Sequence, residues 1–418
     1  MKLLKICGGR TLGGTVRISG AKNSAVALIP AAILCDENVK LLNVPNISDI
    51  DNLAIILRYL NAKVEKISQD SLYIASCNIE NKEITEDMTR KLRASYYFMG
   101  ALLGKYKKAV VSFPGGCTIG SRPIDLHLKG FEALGANVEY DGNKVIITAE
   151  ELNGNNIYLD IASVGATVNI MLAAVKAKGT TIIENAAREP EIVNIAMFLN
   201  SMGAKITGAG TNTIKIKGVN YLKKCTHEVI PDRIEAATYI MIGAALCDNL
   251  VVENIIPEHM EALIRKLKEM GVNIEVTDDK VYVNNKNKLK AVKVRTLVYP
   301  GFPTDMQQIM ATLMTQAKGV SEIEETIFEN RFQNLYELQK MGAKVKIVGN
   351  KGYITGPTKL KSDNITATDL RAGASLVLAA LIADGETTIN NADYILRGYE
   401  NMQEKLTRLG AKIELIQI

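Results

Sequence analysis

The chain has 418 residues, of which 47% are hydrophobic and 23% charged, and its formal net charge is +5. This composition is typical of a folded globular protein, and the length is sufficient for two domains of ordinary size. The positive charge comes without a run of Lys and Arg, so neither a nucleic-acid surface nor a membrane surface is indicated. An anionic small molecule is compatible with it.

Cysteine and histidine usage limits the chemistry. The six cysteines lie far apart, contain no Cys-x-x-Cys motif and follow no cleavable signal, which predicts a reducing cytoplasm. His127, His227 and His259 show no metal-ligand spacing. The glycines near residues 8–14 match neither the P-loop nor the dinucleotide fingerprint. We therefore expect neither a metal nor a cofactor.

A short phrase recurs wherever a helical pattern passes into a strand. Its second residue is Asn61, Gly135, Gly203, Gly271, Gly342 or Gly410, which gives steps of 74, 68, 68, 71 and 68 residues. Glycine after the last helical turn adopts the left-handed conformation at little cost and lets the chain enter the next strand. The spacing predicts one supersecondary unit used six times.

Each repeat contains two helices of different character. The first is apolar nearly all round and must be buried, as in residues 24–34, 166–177, 234–246 and 372–383. These runs are shorter than the roughly 20 apolar residues that cross a bilayer. The second helix is amphipathic, as in residues 260–270, and is expected nearer the solvent.

Strands with alternating polar and apolar residues accompany these helices, for example at residues 144–148, 213–217, 280–283 and 344–348. The unit is therefore predicted to be β-α-β-α-β-β. Three units in each of two α/β domains place the apolar helices at the centre and the sheets outside, with a cleft between the domains.

Polar residues collect near the starts of the apolar helices, where unpaired N–H groups and the helix dipole favour anions. They are Lys22 and Asn23, Arg93, Ser163 to Gly165, Asp232 and Arg233, Asp305, and Asp369 with Arg371. Arg122, Arg331 and Arg397 recur before the second helices, as expected for contacts to phosphate or carboxylate. The alternative is that each arginine is a solvated surface residue. A solvated surface position explains Lys22 less well, because a buried ammonium needs an anionic partner or solvent.

Two further features allow two interpretations each. Cys117 lies in the glycine-rich segment 113–123, five residues before Arg122. One interpretation is a reactive thiol on a closing loop. The other is a small apolar side chain that fills space in the core, as expected for Cys35 and Cys247. Asp305 is either a helix cap or a general base, and Asp369 has the same two possibilities.

These residues lie in motifs that identify a family. The motifs are SGAKNSA (19–25), RASYYFMG (93–100), PGGCTIGSRPIDLHL (114–128), SVGAT (163–167), ENAAREPEI (184–192), PDRIE (231–235), FPTDMQ (302–307), ENRF (329–332), ATDLRA (367–372) and RGYE (397–400). Essentially from end to end, the chain resembles the enolpyruvyl transferases, in particular those that act on UDP-N-acetylglucosamine.

The resemblance implies a two-domain inside-out α/β barrel, with one lobe at residues 22–230 and the other formed by residues 1–21 and 231–418. It implies transfer of the enolpyruvyl group of phosphoenolpyruvate to the 3′-hydroxyl of UDP-N-acetylglucosamine, with release of phosphate, through a tetrahedral intermediate. That reaction is the first committed step of peptidoglycan synthesis, and so of cell-wall biogenesis, cell shape and cell division. The implied partners are these two small molecules.

By position, the resemblance assigns catalytic roles to Cys117, Asp305, Lys22, Arg397 and Asp369. Cys117 is the lid thiol and the nucleophile alkylated by fosfomycin, and Asp305 deprotonates the sugar hydroxyl. Phosphoenolpyruvate is expected to contact Lys22, Asn23, Arg93, Arg122, Arg331, Arg371 and Arg397. The UDP-sugar is expected to contact Asn23, Arg122, Pro123, Ile124, Asp125, Leu126, Ser163, Val164, Gly165, Asp305 and Ile327. Some family members carry a lysine where this chain has Ile161, so Ile161 is given no role.

Two rival functions remain open. The shikimate-pathway enolpyruvyl transferase shares the fold and the phosphoenolpyruvate chemistry but lacks the PGGCTIG lid. A sixfold α/β repeat also suits a clamp around DNA, but such a ring needs Lys- and Arg-rich central helices, and here they are apolar.

Overall fold

The computed structural model describes residues 2–112 and 124–417, except for the side chains of Lys91 and Arg93. The strands are β1 (Lys2–Cys7), β2 (Leu12–Arg17), β3 (Asn38–Leu42), β4 (Lys63–Ser68), β5 (Ser71–Ala75), β6 (Lys108–Ser112), β7 (Asn137–Asp141), β8 (Lys144–Thr148), β9 (Asn156–Tyr158), β10 (Thr180–Glu184), β11 (Lys205–Thr207), β12 (Thr213–Lys217), β13 (Cys225–Glu228), β14 (Cys247–Glu253), β15 (Asn273–Val276), β16 (Lys280–Asn284), β17 (Lys293–Arg295), β18 (Gly319–Glu324), β19 (Lys344–Val348), β20 (Lys351–Gly356), β21 (Asn364–Thr366), β22 (Glu386–Asn390) and β23 (Lys412–Gln417).

The helices are α1 (Lys22–Ala31), α2 (Ser48–Tyr59), α3 (Glu86–Lys91), α4 (Tyr97–Tyr106), α5 (Asp125–Ala133), α6 (Val164–Ala174), α7 (Pro190–Ser201), α8 (Arg233–Leu246), α9 (Glu261–Glu269), α10 (Thr304–Met314), α11 (Gln333–Lys340), α12 (Leu370–Ile382), α13 (Asp393–Leu396) and α14 (Met402–Arg408). Short 3-10 helices span Ala32–Leu34, Arg93–Tyr96 and Pro257–Met260.

The described residues form two compact units. Unit 1 holds the residues up to Ser19 and those from Pro231 onward, and unit 2 holds the described residues between Gly20 and Ile230. Each unit has a hydrophobic core of its own. The chain therefore builds two independent cores, as its length predicts.

The repeat is confirmed as β-α-β-α-β-β. In the repeat from β9 to β12, the sheet order is β11-β12-β10-β9, with β9 parallel to β10 and the other pairs antiparallel. The described strands form five such four-stranded sheets and one three-stranded sheet, β6-β8-β7, beside which Ile84 makes a parallel bridge to Val111. Two repeats take their first strand from a distant part of the sequence. In unit 1, β2 pairs with β14, and in unit 2, β13 pairs with β3.

The apolar helices occupy the core of each unit, as predicted. In unit 2, α4 packs against α1 and α6, and in unit 1, α10 packs against α8 and α12. Nearly every residue of these helices is buried. The amphipathic helix α9 buries only one of its faces, which is formed by Leu263, Ile264 and Leu267. No helix among the described residues is long and apolar enough to cross a membrane.

The six phrases end their helices as the sequence predicts. The second residue of every phrase has a positive φ, from 69° at Asn61 to 105° at Gly203. This left-handed conformation is the one that ends a helix and redirects the chain. The asparagine copy adopts it as well, because asparagine is among the few residues that tolerate it.

A second recurrent feature was not recognised from the sequence. The residues that directly follow β3, β10, β14 and β22 are left-handed asparagines, with φ between 53° and 59°. Each asparagine amide donates a hydrogen bond to the backbone carbonyl of the residue that follows the neighbouring parallel strand. These pairs, listed from donor to acceptor, are Asn43 to Val229, Asn185 to Leu159, Asn254 to Ile18, and Asn391 to Ala367. The asparagines therefore tie the strand ends together on both units.

Candidate active site

A carboxylate between two buried arginines lies at the start of α10. One Asp305 oxygen is 2.8 Å from a terminal nitrogen of Arg331, and the other is 3.1 Å from Arg371. The side chain of Asp305 is 26% exposed, whereas those of Arg331 and Arg371 are 2% and 6% exposed. Three residues that are distant in sequence are thus brought together, and the carboxylate is the accessible member.

The charge of Arg371 is maintained by its neighbours. Burial is the largest single effect and disfavours the guanidinium, but Asp305, Tyr399 and Asp232 together outweigh burial, so the pKa of Arg371 lies above its usual value. The guanidinium also lies 5.8 Å from the ring centre of Tyr399, and its Nη1 donates to the Tyr399 hydroxyl at 3.5 Å. Tyr399 accordingly contributes to this cluster. The sequence signal for Tyr399 was its place in the RGYE motif.

Asp369 and Asp305 are distinguished by the structure. Asp369 is the N-cap of α12, where its Oδ1 accepts the N–H groups of Arg371 and Ala372 at 2.8 and 3.0 Å. Its Oδ2 accepts from the Gln308 amide at 3.4 Å. In α10, by contrast, the N-cap is Pro303, and Asp305 lies in the first turn. The capping interpretation is therefore correct for Asp369 and wrong for Asp305.

In unit 2, Lys22 is the first residue of α1 and its ammonium lies 2.7 Å from a carboxylate oxygen of Asp49. The Asp49 side chain is 2% exposed and that of Lys22 is 14% exposed. The ammonium thus has an anionic partner, one of the two environments that a buried ammonium needs. Asp49 itself was not recognised, because nothing in α2 marks it as the partner of a residue in another helix.

The segment from Ser163 to Gly165 forms the start of α6. Ser163 is the N-cap, and its hydroxyl accepts the N–H of Ala166 at 3.3 Å. Gly165 lies against the ring of His127, so a Cβ at this position would stand 2.9 Å from the ring. The first turn of α6 therefore presents backbone N–H groups, an arrangement that suits an anion.

His127 supports this helix end as a neutral ring. The side-chain oxygen of Asn169 accepts the N–H of Gly100 at 2.9 Å, so its amide nitrogen faces His127 Nδ1, also at 2.9 Å. An amide nitrogen only donates, so Nδ1 must be an acceptor and the ring proton resides on Nε2. Burial lowers the pKa of His127 from 6.5 to about 4, and nearby Asp125 opposes this shift slightly.

The remaining predicted residues are distributed as follows. Cys117, Arg122 and Pro123 lie outside the described residues, as does the side chain of Arg93. Ile124 and Leu126 are half-buried and Asp125 is exposed at the start of α5. Asn23 is half-buried on α1, and Arg397 is half-buried directly after α13. Ile327 is 37% exposed and Ile161 is 68% exposed.

Within residues 2–112 and 124–417, no group of three or more His, Cys, Asp or Glu side chains is arranged to hold a metal ion. The described cluster can instead bind anions and exchange a proton, since it contains one carboxylate and two permanent cations.

Comparison with known proteins identifies the family. Residues 6–406 match the family described as EPSP synthase (3-phosphoshikimate 1-carboxyvinyltransferase). A protein of Bacillus cereus named UDP-N-acetylglucosamine 1-carboxyvinyltransferase 2 is 52% identical over 413 residues, which are 99% of this chain and 96% of the relative. The protein of the same name in Bacillus subtilis is 51% identical over 414 residues, with the same coverage of both chains.

Solved structures agree with this assignment. The crystal structure of the enolpyruvyl transferase NikO from Streptomyces tendae has a TM-score of 0.91 and 28% identity, covering 100% of this chain and 99% of that one. The EPSP synthase of Acinetobacter baumannii has a TM-score of 0.78 and 19% identity, with both chains covered completely, and shows the common fold. The chain therefore belongs to the EPSP synthase family of enolpyruvyl transferases.

Proposed function

We propose that the chain transfers the enolpyruvyl group of phosphoenolpyruvate to the 3′-hydroxyl of UDP-N-acetylglucosamine and releases phosphate. The observation that carries the chemistry is the Asp305 carboxylate held between Arg331 and Arg371 at the start of α10. The choice of acceptor follows the names of the relatives that are 51–52% identical over 99% of the chain. The shikimate enzymes share the fold at 19% identity, which supports no choice of acceptor.

The reaction proceeds by addition and then elimination. A proton adds to the methylene carbon of phosphoenolpyruvate while the sugar oxygen bonds to the adjacent carbon. The intermediate then loses phosphate by cleavage of the carbon–oxygen bond, and a proton leaves the methyl carbon, which restores the double bond. Asp305 removes the proton of the sugar hydroxyl, and Cys117 supplies the proton to the methylene carbon or bonds transiently to phosphoenolpyruvate.

Positively charged residues contribute more to catalysis than the acid and the base do, because both substrates carry several negative charges. Lys22, Arg122 and Arg397 bind the phosphate and carboxylate of phosphoenolpyruvate, and Arg93, Arg331 and Arg371 add positive field. Interactions that strengthen as charge develops on the intermediate lower the barrier most. Asn23 and Asp369 orient the intermediate.

We propose that the UDP-sugar contacts Asn23, Ser163, Val164, Gly165 and Ile327. The N–H groups at the start of α6, between Ser163 and Gly165, suit the diphosphate. Ile161 supplies no charge there, so diphosphate binding depends on these backbone groups. Pro123, Ile124, Asp125 and Leu126 border the sugar.

Product analysis tests the proposal. The protein is incubated with phosphoenolpyruvate and UDP-N-acetylglucosamine, or with phosphoenolpyruvate and shikimate 3-phosphate, and phosphate release and product mass are measured. We expect phosphate release and an enolpyruvyl product with the UDP-sugar only. Turnover with shikimate 3-phosphate alone would overturn the proposed acceptor, and no turnover with either would overturn the activity.

The proposed reaction belongs to peptidoglycan synthesis. Cys7, Cys35, Cys77, Cys225 and Cys247 are free thiols, which favours a reducing compartment, and we place the activity in the cytoplasm on this basis.

A further inference from the structure

One repeat departs from the asparagine pairing at the strand ends. The residue that follows β18 is Glu325, at the position that Asn43, Asn185, Asn254 and Asn391 occupy in four other repeats. The residue that follows the neighbouring parallel strand β17 is Thr296, and its hydroxyl donates to Glu325 Oε1 at 2.9 Å. Glu325 and Thr296 occupy the same place in their sheet as each asparagine and its partner do, but Glu325 accepts the hydrogen bond, whereas the asparagines donate it.

The carboxylate of Glu325 is buried and highly bonded. The residue is 3% exposed. In addition to Thr296, Oε1 accepts the backbone N–H groups of Ile327 and Phe328 at 2.8 and 3.1 Å. Oε2 accepts the hydroxyl of Thr304 at 2.8 Å. Four donors from three segments therefore converge on one carboxylate.

This carboxylate is linked to the candidate base through two side chains. Thr304, the first residue of α10, donates to Glu325, so its oxygen accepts from Arg331 Nη1, which is 2.7 Å away. The other terminal nitrogen of Arg331 binds Asp305 at 2.8 Å. The sequence of contacts Glu325, Thr304, Arg331, Asp305 is thus continuous, and each donor and acceptor role in it is fixed.

The same carboxylate orders the loop after β18. Its bonds to two successive N–H groups hold Ile327, which is proposed to contact the UDP-sugar, and Phe328. The Phe328 ring lies 4.9 Å from the guanidinium carbon of Arg331, a favourable cation–π distance. Glu325 therefore acts on Arg331 both through Thr304 and through this loop.

A structural role alone does not account for the charge. Burying a carboxylate is costly, and four other repeats join the strand ends with a neutral asparagine. An asparagine amide cannot accept the hydroxyl of Thr304 and two N–H groups with the strength of a carboxylate.

We propose that Glu325 is a positioning residue for the reaction, which aligns Arg331 with Asp305 and fixes the backbone at Ile327. This role rests on the proposed function of Asp305 and Ile327. It couples the loop proposed to contact the sugar to the group proposed to deprotonate it.

Glu325→Gln and Thr304→Val break the link from Glu325 to Arg331 and leave the bonds from residue 325 to the loop at Ile327 intact. The glutamine oxygen still accepts the N–H groups of the loop, but its amide nitrogen cannot accept from Thr304. We therefore expect kcat to fall about tenfold, with KM for UDP-N-acetylglucosamine within about twofold of wild type. Thr304→Val, which removes the same link and leaves the loop bonds, should lower kcat similarly, and Thr304→Ser should restore it.

The double variant tests whether the two residues act in one chain. Glu325→Gln combined with Thr304→Val should be no slower than Thr304→Val alone, because the link is already broken. Glu325→Ala, which also removes the loop bonds, should raise KM for the UDP-sugar in addition. Glu324→Gln is the matched control, since Glu324 precedes Glu325 but pairs with Arg295 and Lys351 near the surface. It should leave both constants unchanged.

Wild-type kcat in Glu325→Gln, or equal losses in Glu325→Gln and Glu324→Gln, would overturn the proposal. The proposal would also be overturned if the losses of kcat multiplied in the double variant. The same holds if the loss of kcat in each variant matched its unfolded fraction in thermal denaturation. Asp305→Asn distinguishes the failure of the proposed function from the failure of the positioning role. If it keeps normal turnover, the proposed base is wrong, whereas an inactive Asp305→Asn beside a normal Glu325→Gln rejects only the positioning role.

Discussion

Charged side chains lie at both ends of the central helices, and the two ends differ in how the charges relate to the helix dipole. Beyond the C-terminal ends of α4 and α6, Lys107 and Lys176 donate to backbone carbonyl oxygens, as does Lys105 in the last turn of α4. At the N-terminal ends of α10 and α12, the cations are Arg331 and Arg371, which bind the carboxylate of Asp305.

A cation at a helix C-terminus is stabilising, and a cation at a helix N-terminus is destabilising by a similar amount, roughly 0.3–1 kcal/mol. The lysines of unit 2 are therefore explained by the fold itself. The arginines of unit 1 are not, because they lie at the positive ends of two helices. In this protein, cations placed against the helix dipole therefore indicate a binding site, and cations placed with the dipole indicate a contribution to stability.

The carboxylates of the two regions fit the same distinction. Asp36 binds Lys176 at 2.9 Å, and it accepts the N–H of Leu222 at 2.9 Å. Burial alone would raise the pKa of Asp36, but these two contacts, together with the Lys105 ammonium 3.6 Å away, outweigh burial and lower the pKa below its usual value. Asp36 is thus fixed as an anion among structural cations, whereas Asp305 faces two arginines from an accessible position.

The largest expected effect is that of Asp305→Asn. Asparagine keeps the shape, and its single amide oxygen can still accept from one of the two arginines, but it cannot take a proton from the sugar hydroxyl. We expect kcat to fall about 10²- to 10⁴-fold. Phosphate release measures turnover, and calorimetric titration with UDP-N-acetylglucosamine should show binding close to that of wild type. Unchanged turnover would remove the proposed base.

Cys117→Ser is expected to lower kcat about tenfold or more, with little change in the unfolding temperature. Cys247 is the matched control. It is fully buried, and burial raises the pKa of its thiol to about 12, so its reactive thiolate is scarce. After treatment with fosfomycin, peptide mass analysis should find the adduct on Cys117 and none on Cys247. A large loss of stability in Cys117→Ser would assign that cysteine to the core.

Stability should depend on pH through His127. Its folded pKa of about 4 lies below the ordinary value of 6.5, so the unfolded chain binds the proton more readily. Stability is therefore unaffected above pH 6.5 and falls as the pH is lowered towards 4, by up to about 3 kcal/mol. In urea titrations at several pH values, His127→Gln should reduce this slope. An identical slope in wild type and variant would contradict the neutral buried ring.

Much of the fold was predictable because its determinants are local. The left-handed turn at Gly203, the strand at Thr213–Lys217 and the apolar helix at Arg233–Leu246 each depend on a short run of sequence. The positions of Asp305 and Arg371 near helix starts followed from the same patterns. Local sequence therefore indicated where polar groups would gather in each repeat.

The partnerships within the site were not predictable, because they depend on contacts between distant elements. Lys22 and Asp49 belong to different helices, and nothing in either segment specifies their 2.7 Å contact. Asp305 resembled a helix cap until α10 proved to begin after Pro303. Glu325 gave no signal alone, and its significance appears only when the strand ends of the repeats are compared.

The most direct test of the difference between the two helix ends is to measure kcat and the free energy of unfolding for Arg371→Gln and Asp36→Asn. For Arg371→Gln, we expect kcat to fall more than about 100-fold, with stability within about 1 kcal/mol of wild type. The partly exposed Asp305 keeps Arg331 as its partner, and removing a cation from a positive helix end offsets the lost ion pair. For Asp36→Asn, we expect normal kcat and a loss of about 1–3 kcal/mol, because two half-buried lysines lose their anion. The reverse outcome, in which Arg371→Gln is destabilised by several kcal/mol and its activity falls only with its folded fraction, would contradict the account.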